Sequence, residues 1–168
     1  MNGGVLAMKV SLYDYRGGIN ATPKDILMST KKTLESMNPT FVKNGVHEIR
    51  LDMKERLSKE GWSGAYRLDA DSQITITSYQ RNTGLCVQTG NVSRIYADLL
   101  KLQTLYNKSK IDSALIIVPL EKTASILAKN MATYERLSRE LLIFDRVITM
   151  PIVIFGFGGE AEEGADDF

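Results

Sequence analysis

Between residues 47 and 61 the apolar positions fall four apart. Ile49, Met53 and Leu57 recur on one face, which predicts a helix, and Gly61 closes it. Upstream, MKVSLYDY (8–15) reads as a short strand ended by Gly17-Gly18. The segment from Thr22 to Met37 reads as a helix with Thr22 as N-cap and Pro23 at the first helical position.

Beyond residue 61 the period shortens. GAYRLDA, QITITSY and GLCVQTG are rich in β-branched and aromatic residues, and Ile74 and Ile76 alternate with Thr75 and Thr77. Asp69-Ala70-Asp71-Ser72 and Arg81-Asn82-Thr83-Gly84 carry turn chemistry, so the spacing predicts a three-stranded antiparallel meander. In residues 91–110, Ile95, Leu99, Leu102 and Tyr106 form one stripe, with Arg94, Lys101 and Lys108 off it: an amphipathic helix. SALIIVP (113–119) is an apolar run that suits a strand covered on both faces. A long helix over 121–143 is expected next, with Leu127, Met131, Tyr134, Leu137 and Leu141 on its core face. RVITMPIVIFGF reads as a last strand, and Pro151, which cannot donate to a ladder, suggests an edge or a bulge. The strand–helix–strand unit from 113 to 157 is expected to be a right-handed parallel crossover. The fold class is therefore α/β, a mixed β-sheet flanked by helices, in a single domain over 1–158.

Composition narrows the classes. One cysteine and one histidine exclude a disulfide framework and argue against structural zinc. The opening residues lack the pattern of a signal peptide, and no apolar run is long enough for a membrane span, so a cytoplasmic protein with no membrane partner is expected. Residues 160–168 hold five of the 20 acids and no base, which leaves 21 Lys+Arg against 15 acids in the remainder. A basic body suits a polyanion partner. The tail, taken as 159–168, is expected to be flexible. Its Glu162, Glu163, Asp166, Asp167 and Phe168 look like the acidic tips of single-stranded-DNA-binding proteins, which dock replication or repair proteins.

Residues 84–162 resemble the BamHI/BglII-type restriction endonucleases. The resemblance rests on an ordered set: Thr89-Gly90-Asn91 after a strand, Lys101-Leu102 in a basic helix, Ile111-Asp112 through Pro119, Tyr134-Glu135, and Ile154-Phe155-Gly156-Phe157. It implies the PD-(D/E)XK nuclease fold, a homodimer, and magnesium-dependent hydrolysis of duplex DNA. It also implies a catalytic Asp at the end of the second meander strand and Glu-x-Glu or Glu-x-Gln on the third.

In this chain those family positions hold Ser78 (or Thr77), Cys86 and Gln88. Magnesium is held by oxygen ligands with carboxylate charge, whereas a thiol is soft and mostly protonated near neutrality. The expected function is therefore DNA binding without cleavage and without a cofactor, with magnesium required only if the protein is active. Arg81, Asn91, Arg94 and Lys101 are the candidate DNA contacts. Tyr66, Tyr79 and Trp62 are candidates to stack bases if single strands are bound, with core packing the alternative for each. One alternative is an active type II restriction endonuclease with acids relocated to Glu48, Asp52, Asp69 or Asp71. Another is a protein-interaction subunit of a nuclease complex, docking through the 121–143 helix.

Overall fold

The computed structural model describes residues 8–159. The tail residues Glu162, Glu163, Asp166, Asp167 and Phe168 lie outside the described residues. The chain runs β1 (Lys9–Tyr15), α1 (Gly18–Ala21), α2 (Lys24–Glu35), α3 (Val46–Lys59), β2 (Tyr66–Arg67), β3 (Thr75–Ile76), β4 (Ser78–Gln80) and β5 (Thr83–Val87). It continues through α4 (Arg94–Asn107), β6 (Ser113–Pro119), α5 (Glu121–Leu127), α6 (Tyr134–Ile143) and β7 (Ile152–Gly158). Five strands form one mixed sheet in the order β1-β7-β6-β5-β4, and β2 and β3 form a small separate pair. The β5–β6 and β6–β7 pairs are parallel, while β1–β7 and β4–β5 are antiparallel.

Alternation along β6 divides the core. Leu115 and Ile117 join Leu34, Met53, Leu57 and Phe155 on the side covered by α2 and α3. Ala114, Ile116 and Val118 join Leu99, Leu102, Leu137 and Leu141 on the side covered by α4 and α6. All seven residues of β6 are buried, as its unbroken apolar run predicts.

The elements depart from their expected form at four places along the chain. The meander is interrupted at Thr77, because its hydroxyl, rather than a strand carbonyl, accepts the Val87 N–H at 3.0 Å. β3 consequently pairs with β2, and only β4 stays with β5 in the main sheet. The β4–β5 hairpin turns at Arg81-Asn82, both at positive φ (42° and 59°), the backbone of a two-residue primed turn.

Thr22 is not an N-cap. Pro23 occupies that position, and the buried Thr22 hydroxyl donates instead to Ser113 Oγ at 2.7 Å. Pro151 does not mark an edge either. It lies just before β7, so its missing N–H falls outside the ladder, and its carbonyl accepts from Ala114 N at 3.0 Å. β7 is accordingly an interior strand between β1 and β6.

The long helix over 121–143 is two helices. Ala128 is extended and Asn130 has φ 56°, so the chain leaves the helix after Leu127. Ala132 N donates to Gly90 O, and Val92 N donates to Asn130 O, which clamps this segment to the turn after β5. Thr133 then caps α6 by accepting from Arg136 N. The docking helix proposed for a protein-interaction subunit is thus not continuous, although Leu142 and Ile143 at the end of α6 are exposed.

Trp62 is buried in the core, and Tyr66 and Tyr79 stack on each other at 4.6 Å between ring centroids. Trp62 is therefore removed from the set of base-stacking residues. Among the described residues, no helix is long and apolar enough to cross a membrane.

Candidate functional site

The end of β5 opens into a cavity of about 430 Å³ between α3, α4 and the β2–β3 pair. Two helices supply its charge. Arg50 and Lys54 are one turn apart on α3, and Arg94, Asp98 and Lys101 follow the i, i+4, i+7 spacing of one face of α4. Gln88 and Thr77 contribute the neutral polar lining.

Gln88 is held at both ends of its amide. Its Oε1 accepts from Gly90 N at 2.9 Å, and its Nε2 donates to Asp98 Oδ2. That assigns the donor end of the amide to the carboxylate. Gly90 permits the arrangement, because a Cβ there would stand 2.9 Å from Gln88 Oε1 and 3.1 Å from Arg94 Cδ. Arg50 Nη1 donates to the carbonyl of Val87 at 2.9 Å and to Thr89 Oγ1 at 3.3 Å, which ties α3 to the end of β5. Lys101 Nζ lies 3.8 Å from Asp98 Oδ1.

Asp98, like Arg50 and Lys54, is a cavity residue absent from the sequence-based expectations. It is only 8% exposed. Burial raises its pKa above the ordinary carboxylate value, and the Gln88 hydrogen bond and the nearby Lys101 and Arg50 charges offset this only in part. The face is therefore not free of acids, as the strand residues alone suggested. A signal was present in sequence: Asp98 sits beside the apolar stripe of α4, three residues before Lys101.

Cys86 is 1% exposed and lies beneath Gln88 on the α4 side of the sheet. Burial first, and then the Asp98 charge, pushes its thiol far up, so it is protonated at neutral pH. Ser78 is buried and is not part of the cavity lining; it donates to Ser63 O at 2.6 Å. The adjacent Thr77, not Ser78, lines the cavity.

Of the expected DNA contacts, Arg94 and Lys101 line the cavity. Arg81 sits on the β4–β5 turn and pairs with Asp25. Asn91 closes the turn before α4 by accepting from Ser93 N at 2.9 Å. The fallback acids are not brought together. Asp52 pairs with Arg56 at 2.9 Å and lines a different hollow, while Asp69 pairs with Lys108 and shapes its own turn by accepting from Asp71 N. Glu48 and Asp71 are exposed and border no part of the cavity.

Magnesium, which the resemblance implies, does not fit this donor set. One carboxylate is already held by an amide N–H and a lysine, and four cations share the cavity with it. A hard divalent cation needs oxygen ligands and negative charge, and this lining supplies N–H groups and positive charge. Among the described residues, no three His, Cys, Asp or Glu side chains gather where they could hold an ion.

The raised Asp98 pKa has a definite sign for stability. Below about pH 3.9, the ordinary Asp value, the group is protonated whether folded or unfolded and costs nothing. As pH rises through that value the unfolded chain ionises first, and stability falls until the folded carboxyl ionises as well. Arg50 and Lys54 from α3, Lys101 and Arg94 from α4, and the neutral Cys86 thiol from β5 face this group. Asp98→Asn keeps an acceptor for Gln88 and is expected to be more stable than the parent at neutral pH, with the difference vanishing at acid pH. Urea unfolding midpoints across this range check it, and a variant less stable than the parent at neutral pH contradicts it.

The five-stranded mixed sheet flanked by helices is the restriction-endonuclease fold. The chain is similar to restriction endonuclease BglII complexed with a DNA 16-mer (TM-score 0.78, 15% identity, covering 88% of this chain and 75% of that one). It is also similar to free BglII (TM-score 0.72, 17% identity, covering 92% and 82%). The family model described as restriction endonuclease BglII/BglIII matches residues 19–157, and the chain belongs to that family. The type II restriction enzyme BamHI of Bacillus amyloliquefaciens is 25% identical over 118 residues, covering 70% of this chain and 52% of BamHI. The chain thus spans about half the length of that curated relative.

Proposed function

We propose that this protein binds DNA through the cavity at the end of β5 and does not cleave it. One observation carries the reading: where the family's resemblance implies carboxylates and metal, the cavity presents Arg50, Lys54, Arg94 and Lys101 around a single carboxylate already in use. Lys and Arg hold the DNA backbone through its phosphates, and these contacts survive the loss of a metal. Hydrolysis does not survive it, because the metal generates the attacking hydroxide and stabilises the leaving oxygen.

The test is direct. Purified protein is expected to retain linear duplex DNA in the presence of EDTA and to leave supercoiled plasmid intact with magnesium or manganese. Plasmid cutting that disappears in Asp98→Asn would overturn the non-cleaving reading and make Asp98 a relocated catalytic acid. Failure to retain DNA at low salt would remove the binding reading as well.

A further inference from the structure

The charge balance of the cavity says more about its ligand than that it is DNA. Four cations against one carboxylate leave a formal excess of three positive charges in a space of about 430 Å³. An internal phosphodiester brings one negative charge, whereas a phosphomonoester brings about −1.5 to −2 at neutral pH and a third unesterified oxygen as acceptor. The lining is divided between two helices, α3 and α4, so that an anion between them meets donors from both sides. Arg50 keeps only part of its guanidinium occupied: Nη1 serves Val87 and Thr89, and the fork has further N–H groups. Arg94 and Lys54 are exposed helix residues that line the cavity.

Asp98 sharpens the selection. It places a buried carboxyl group in the α4 wall, with Lys101 beside it at 3.8 Å. A divalent cation beside Asp98 would face four like charges. A dianion is drawn by those charges and meets at most one carboxylate charge.

We infer that this cavity takes the terminal phosphate of a nucleic-acid strand, so that the protein reads a phosphorylated DNA end in preference to continuous backbone. The inference rests on the DNA-binding reading above and narrows its ligand. The 5′ and 3′ monoesters share the same chemistry, and the experiment separates them.

Fluorescence anisotropy with the full chain in EDTA provides the test. The probes are three duplexes of one sequence ending in 5′-phosphate, in 3′-phosphate, or in hydroxyl at both ends. One of the two phosphorylated duplexes is expected to bind about tenfold tighter than the hydroxyl duplex, a difference of about 1.4 kcal/mol. Inorganic phosphate should compete this preference away, and Arg94→Ala and Lys54→Ala, both at exposed positions, should each reduce it while circular dichroism stays unchanged. Equal binding of all three duplexes, with DNA affinity intact, overturns the end-specific inference and leaves the DNA-binding reading standing. No binding of any duplex removes both.

Discussion

The double variant Lys54→Glu/Arg94→Glu is expected to lose about 100-fold or more in DNA affinity, since two charge-assisted contacts of about 1.5 kcal/mol each are removed and reversed. Both side chains border the cavity and both residues are exposed, so the fold does not depend on them. Arg50 is less suited to this test, because its bonds to Val87 and Thr89 hold the end of β5 in place. The salt dependence should change with the affinity. Each lost phosphate contact lowers the slope of log K against log salt by about 0.9, so the double variant should be shallower than the parent by about 2. Titrations at three or more salt concentrations measure both quantities. A variant that binds as tightly as the parent, with the same slope, would show that DNA is held elsewhere on the molecule.

The second large effect concerns the sheet that carries the site. Phe155→Ala is expected to destabilise the protein by about 3–5 kcal/mol, through lost transfer energy and the cavity left behind. Phe155 lies at the middle of β7, fully buried, between Leu12 of β1 and Ile117 of β6. Ile117 is in turn paired with Val87, and its carbonyl accepts the N–H of Gln88 at 2.9 Å. The register thus passes from β7 through β6 to the residue that grips Asp98. Small domains have only about 5–15 kcal/mol of stability, so the loss should be visible as a large drop in the urea midpoint. A shift worth less than about 1 kcal/mol would mean that this core relaxes around the void.

The residues that could be read in advance share one property: their signal is local. Ile49, Met53 and Leu57 mark the buried face of α3 by spacing alone, and all three are buried. Ile95, Leu99 and Leu102 do the same for α4. The apolar run of β6 announces a strand buried on both faces. Cys86 and Gln88 stand out because the strand and the Gly-Asn turn after it resemble those of the BamHI/BglII-type enzymes, and the structure places Gln88 in the cavity and Cys86 in the core on the α4 side.

The residues that could not be read depend on which helix faces which. Arg50 and Lys54 look like ordinary solvated helix positions until α3 is docked over the end of β5. Asp98 looks like one more polar residue of an amphipathic helix until Gln88 reaches it across ten residues of chain. The break in the 121–143 helix was hidden for the same reason, because Gly90 and Val92 hydrogen-bond the segment that leaves the helix, and they are distant in sequence. Pro151 misled because its missing donor matters only inside a ladder, and it stands one residue outside.

Read along the chain alone, the residues give the α/β class, the positions of most helices and strands, and a hydroxyl residue (Ser78 or Thr77) and the Cys86 thiol where the resemblance implies a catalytic Asp and Glu. Periodicity and residue chemistry are local, and both can be read along a single chain. Folding is what brings the α4 carboxylate to Gln88 and four cationic residues from two helices around the same cavity. Electrostatic character depends on distance and burial, which a linear order of residues does not contain.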